Sequence, residues 1–380
     1  MSSHRSIVDF ELAGRTLVRL VDPAPRDERD VGMRLGIAPR RTGEASAAAV
    51  AAGGADAPDL VLRFVAELPV LGRLRTVGRD DGAFTETQFV VMRGGRPVAI
   101  VPFESIGRAG TEIVVARGTG APARLVSLLN LALLGGDRIA IHASAVVHRG
   151  VGIAACGWSG SGKTEVLLGL MARGASYVGD EWVLASPRDG MTGLPQPVRI
   201  QDWHLDQLPA LRSRIGLRAR ARLATAGTVT GIGDAIARAP VGGVARVGRL
   251  AGRVAGRRHV DIHPVRLFGR EAVASRAPLD RLILLETWPD DEIHVEPIDP
   301  LAVADRLALA HVHHRRELIA LYWQARFAFP DQTRNLLERI EAVERERLRA
   351  LFAERPAHRL SHPHRVSTAG LADAVERHLG

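Results

Sequence analysis

Eight consecutive residues, Gly157, Trp158, Ser159, Gly160, Ser161, Gly162, Lys163 and Thr164, have the types and spacing of a loop that holds phosphates. They fit the pattern Gly-x4-Gly-Lys-[Ser/Thr] in full. The glycines let the backbone turn its N–H groups toward phosphate oxygens, and the helix that follows adds the partial positive charge of its N-terminus. In such a loop Lys163 reaches the terminal phosphates, and the Thr164 hydroxyl completes the shell of a Mg2+ ion. Trp158, inside the loop, is expected to shield the site. Of the 51 basic residues, 50 are arginines and Lys163 is the sole lysine. Exchangeable surface sites drift to arginine under a composition bias, whereas a site needing a compact ammonium on a flexible stem does not.

Moving a phosphoryl group also requires a carboxylate near the terminal phosphate, to hold metal or to take a proton from the acceptor. Two strand-end candidates exist, Asp180-Glu181 and Glu286. Asp180 is favoured, because paired acids after a short strand suit acid–base work and metal holding together. His142, alone on an apolar strand, reads by itself more as a satisfied core residue than as a site residue. His259, Asp261 and His263 alternate, so on a strand they share one side. That set could hold a metal or form one polar face of an edge strand.

The elements around these residues read as a mononucleotide-binding unit. Arg138–Val147 and Val151–Cys156 are expected strands around a His148-Arg-Gly turn, followed by the loop, a helix Thr164–Arg173 closed by Gly174, and a strand Ser176–Val178 that runs into Asp180. Further strands are expected at Val260–Ile262 and Leu282–Glu286. Residues 1–120 read as a β-rich N-terminal portion, with strand-like runs at Thr16–Val21, Leu60–Leu68, Phe89–Pro102 and Thr111–Val115 and a flexible excursion at Ala45–Pro58. Pro122–Leu134 has helical periodicity. Residues 121–300 form the core with an Arg-rich insertion at about 189–258, and 301–380 a helical C-terminal tail.

Composition narrows the classes of function. A hydrophobic share of 46% with 24% charge belongs to a folded chain. Apolar runs are too short to cross a bilayer, no signal segment is apparent, and the single cysteine, Cys156, staples nothing, so a cytoplasmic protein without a membrane partner is expected. Cys156 itself reads as a small buried apolar residue. The net charge of +9 is local, since eleven arginines face one acid, Asp234, between Arg212 and Arg258. That segment has almost no aromatics to stack bases, which argues against single-stranded nucleic acid as partner.

His142-Ala-Ser-Ala-Val, the loop Gly157–Thr164, Arg173-Gly-Ala-Ser-Tyr-Val-Gly-Asp-Glu181, Leu267-Phe-Gly269 and Leu282-Ile-Leu-Leu-Glu-Thr-Trp288 together resemble the catalytic domain of HPr kinase/phosphorylase and its kinase-like relatives, over about 135–300. The resemblance implies an α/β P-loop kinase core of the HPr kinase and phosphoenolpyruvate carboxykinase type. It also implies ATP with Mg2+ as phosphoryl source, a serine or threonine of a protein or peptide as acceptor, and a homo-oligomer. By it, Asp180 matches the acid that deprotonates the acceptor, His142 the histidine beside the phosphates, and Glu181 the second acid, on the metal side. Where the family carries a metal-binding glutamate in a Glu-x-Arg-Gly segment, this chain reads Ala255-Gly-Arg-Arg-His-Val-Asp261, which leaves Asp261 as the acid at hand. In this the chain is closer to the relatives found beside ribosomal-peptide modification genes. A small-molecule kinase with the same core, or a nucleotide-dependent switch that binds a partner or nucleic acid, are the alternatives.

Overall fold

The structure, a computed structural model, describes residues 5–45, 57–70, 72–78, 82–223, 259–331 and 336–378. Its organising element is a six-stranded mixed sheet in the order Ser176–Gly179, Ala143–His148, Val151–Gly157, Arg281–Trp288, Ala357–Pro363, His294–Pro297. The central pairs, Val151–Gly157 with Arg281–Trp288 and the latter with Ala357–Pro363, are parallel. Parallel strands are covered on both faces and therefore read as continuous apolar runs. Leu282–Leu285 shows why. Leu282 and Leu284 join one core with Ala154 and Cys156, while Ile283 and Leu285 join a second with Ile153 and Ala155.

The second core holds the helices Lys163–Met171 and Thr368–Glu376 through Leu167, Leu170, Leu371 and Val375. These helices approach so closely that a Cβ on Gly169 would lie 2.2 Å from the Thr368 carbonyl oxygen, so only glycine fits there. The first core holds Pro300–His314 and Leu336–Phe352 through Val303, Leu307, Leu348 and Phe352, and continues into the N-terminal sheet.

That N-terminal sheet has nine strands, all drawn from residues 5–116, with parallel pairing of Arg15–Val21, Leu60–Val65 and Thr111–Ala116 at its middle. The apolar alternation of these runs is satisfied by the helices Pro25–Leu35 and Leu125–Leu133, whose Val31, Leu35, Leu129 and Leu133 are buried with it. The fold is mixed α/β, and no helix among the described residues is long and apolar enough to cross a membrane.

Two local expectations change, for the tail and for His263. The tail is not wholly helical, because Ala357–Pro363 is a strand inside the six-stranded sheet. Its sequence, Ala-His-Arg-Leu-Ser-His-Pro, is too polar to advertise this, and pairing on both sides makes it a strand. Part of the Arg-rich stretch is ordered structure, with strands Gly190–Gly193 and Val198–Gln201 and the helix Asp202–Gln207, while 224–258 lies outside the described residues. The excursion at Ala45–Pro58 lies outside them for 46–56. His263 leaves the strand His259–Ile262 and caps the next helix, where its Nδ1 accepts from the Val265 N–H at 3.3 Å, so it does not share a face with His259 and Asp261.

Candidate phosphate and acid–base site

The register of the six-stranded sheet gathers the chemistry-bearing residues at one edge. Ala143 pairs with Cys156, Ala145 with Gly179, Gly157 with Leu285, and Leu285 with Leu360. His142, the Gly157–Thr164 loop and Asp180-Glu181 therefore leave the sheet at the same end, where Glu286 and His362 lie near the ends of their strands. The loop runs from the strand Val151–Gly157 into the helix that begins at Lys163, and its bends rest on glycine φ values of +80° at Gly160 and +88° at Gly162. Lys163 is buried, and its Nζ donates to the carbonyls of Gly157 at 3.2 Å and Trp158 at 2.8 Å. His362, from the unexpected strand, places Nε2 2.9 Å from the Ser161 carbonyl oxygen and so braces the loop from outside.

Asp180 is the best-defined group of the site. It is 3% exposed, accepts a short hydrogen bond from the Ser144 hydroxyl, and lies 3.2 Å from Thr164 Oγ1. Burial pushes its carboxyl up to about 6, against the lowering effect of the Ser144 hydrogen bond. Glu181, the next residue, adopts φ +69°, and the turn is closed by the Trp182 N–H on the Asp180 carbonyl at 2.9 Å. A non-glycine residue held there costs about 1–3 kcal/mol, and such strain clusters at functional sites. The turn lets adjacent acids take separate roles. Asp180 goes inward to Ser144 and Thr164, while half-exposed Glu181 meets His142 Nε2 at 3.0 Å.

The hydrogen bond from His142 holds Glu181 down at about 2, and burial lowers His142 to about 4. At neutral pH the imidazole is uncharged, so its Nε2 carries the proton toward Glu181 and its buried Nδ1 has no partner. Behind it stands a shell the sequence did not announce. The His142 backbone N–H donates to His311 Nε2 at 3.1 Å, which puts the His311 proton on Nδ1. That nitrogen faces Glu344 Oε1 at 3.4 Å, an electrostatic contact longer than a full hydrogen bond. Glu344 also accepts from Arg315 Nη1 at 2.6 Å. All three side chains are at most 1% exposed. His314 packs on His142 with ring centroids 3.8 Å apart, and burial lowers it to about 3. His313 lies against Trp158, centroids 4.5 Å apart, and Trp158 is half exposed. Only the run of histidines in the last turn of Pro300–His314 could have hinted at this from sequence.

A polar cavity of about 210 Å3 opens on the site, lined by His142, Lys163, Thr164, Asp180, Glu181 and Arg199 together with Ser159, Gly160 and Gly162 of the loop. Its chemistry fits a phosphate with a hard cation. Thr164 Oγ1 and the Asp180 carboxylate are adjacent oxygen donors, and the buried Nδ1 of His142, another residue of the cavity wall, has no protein partner. Among the described residues no three His, Cys, Asp or Glu side chains form a ready cage, so a cation here would share its shell with phosphate oxygens, as Mg2+ commonly does. Asp261 is not among the cavity residues. It is half exposed and lies 3.7 Å from Arg199 and 3.9 Å from His259. Glu286 pairs with Arg306 and lies 4.0 Å from Arg359, which leaves it neutralised by arginines. Cys156 is buried and its thiol is pushed up to about 12 by burial, so it is inert.

No known family profile and no curated protein sequence matches the chain. Among solved structures it is similar to the Hpr(Ser) kinase/phosphatase from Coxiella burnetii. That likeness has 14% identity and a TM-score of 0.20, over 50% of this chain and 98% of that one. At that score the likeness bears on no residue of the site.

Proposed function

We propose that this chain is an ATP-dependent kinase that transfers the γ-phosphate to a serine or threonine hydroxyl of a protein or peptide. The observation that carries the reading is Asp180, a buried carboxyl raised toward neutrality and locked by Ser144 beside the last residue of a phosphate-type loop. A general base works best when its pKa approaches the working pH.

In the proposed mechanism the loop amides and Lys163 hold the terminal phosphates, which requires Lys163 to leave the Gly157 and Trp158 carbonyls. Mg2+ held at Thr164, with Glu181 on the metal side, would neutralise charge on the phosphates and leave Asp180 free to take a proton. Asp180 accepts the acceptor's hydroxyl proton as its oxygen forms a bond to the γ-phosphorus, and the bond from that phosphorus to the bridging oxygen breaks, with its electron pair leaving on ADP. His142 stays neutral and keeps Glu181 ionised at the cavity wall. Cytoplasmic location, a homo-oligomeric state and a peptide acceptor belong to this same reading.

The cavity of about 210 Å3 also admits a small alcohol, so a small-molecule acceptor is the second reading. Incubation of the purified chain with γ-labelled ATP, Mg2+ and separate peptide and metabolite fractions decides between them. Label on a peptide supports the proposal, label on a small molecule supports the second reading, and free phosphate alone points to a hydrolytic switch.

A further inference from the structure

The loop has a second side. Ser159 and Gly160 line the polar cavity and also line a larger cleft of about 550 Å3. This cleft runs from Gly157–Ser161 along Leu284–Trp288 to the helix Pro300–His314. Its walls are mainly apolar, and three large hydrophobic side chains among them are unusually open, with Trp158 and Trp288 each 50% exposed and Leu309 53%. Polar side chains are few: Ser159 and Ser161 of the loop, Thr287 and the Glu286–Arg306 pair. A concave, mostly apolar cleft of this size with a few placed polar groups is the form of a small-ligand site.

We propose that this cleft seats the base of the nucleotide whose phosphates the loop holds, with Trp158 and Trp288 offering aromatic faces. The inference rests on the phosphate-loop reading above and adds where the rest of the nucleotide goes. Two observations select a base over the acceptor. Asp180, Thr164 and Lys163 line the polar cavity and not the cleft, so an acceptor in the cleft would lie on the opposite side of the loop from its base. A flat, weakly hydrated ring gains from apolar walls and aromatic faces, whereas a hydroxyl-bearing acceptor gains little there. Ser159 and Gly160, shared by both spaces, are where a ligand crosses from one to the other.

The test uses the full chain and calorimetric binding of two ligands, ATP and inorganic tripolyphosphate, each with Mg2+. Trp288→Ala removes one aromatic face, and Leu309→Trp narrows the cleft at a half-exposed position of a helix. Both variants are expected to bind ATP about tenfold more weakly while tripolyphosphate binds as before. Unchanged ATP affinity in both variants overturns the proposal, as does an equal loss for the two ligands, which would place the effect on the loop itself. Intact ATP affinity with lost phosphorylation of the acceptor would give the cleft to the acceptor and overturn it too. If the unaltered chain binds neither ligand, the phosphate-loop reading itself fails, and this assignment falls with it.

Discussion

Glu344→Gln tests the shell behind the site, and its size can be worked from the structure. Glu344 is fully buried beside Arg315 and His311. Burial alone would raise its carboxyl, yet Arg315 and His311 outweigh that and bring it from 4.5 down to about 2. Its depressed folded pKa means that the ionised form stabilises the fold above the unfolded pKa, and that this stabilisation is lost as pH falls through the folded one. About 2.5 units at 1.36 kcal/mol each is about 3 kcal/mol at neutral pH. Breaking one partner of a buried pair costs about 3–5 kcal/mol, which agrees. Glu344→Gln is therefore expected to lose about 3 kcal/mol at pH 7 in urea unfolding followed by circular dichroism, and only about 1–2 kcal/mol at pH 3. A variant as stable as the parent at pH 7, or one whose deficit is the same at both pH values, would refute the reasoning. Because His311 accepts the His142 backbone N–H, phosphoryl transfer should fall alongside.

Other expectations follow from the same geometry. Activity should fall as pH drops through about 6, because Asp180 must be ionised to accept a proton, and a pH–rate profile reads this directly. Ser144→Ala removes a hydrogen bond that lowers Asp180, so the acidic limb should move upward by about one unit. An unmoved limb would exclude Asp180 as its source. Asp180 carries a raised pKa, so its ionisation costs stability as pH rises through about 6. Asp180→Asn should then be more stable at pH 7, by up to about 3 kcal/mol, with the gain gone near pH 4. Lys163→Ala should weaken nucleotide binding by at least about tenfold, measured by calorimetry, and parent-like affinity would remove the lysine from the phosphate site.

What the sequence made legible was local. Glycine spacing announced the loop, an uninterrupted apolar run announced the strand Arg281–Trp288, and Asp180-Glu181 stood out because it follows a short strand just beyond the loop's helix. Ser144 was in plain view inside His142-Ala-Ser-Ala-Val, yet nothing in its neighbours says that it meets a carboxylate 36 residues away. The remaining partners are farther apart in sequence. His142 and His311 are separated by 169 residues, and Ser161 and His362 by 201, so only the folded register brings them together. Nothing in the sequence singles out Glu344 and Arg315 among the many charges of the C-terminal part, and their complete burial depends on packing that periodicity does not encode. Asp261 shows the converse. Its spacing to two histidines was suggestive, but the strand ends before His263.

The central claim is that Asp180 is the base of a phosphoryl transfer, and Asp180→Asn tests it most directly. The asparagine keeps the size of the side chain and an acceptor for Ser144, but cannot take a proton. Label transfer from γ-labelled ATP to the acceptor should drop by at least about a hundredfold, while calorimetric affinity for ATP stays within a few fold of the parent. Transfer at the parental rate with nucleotide binding intact would contradict the account.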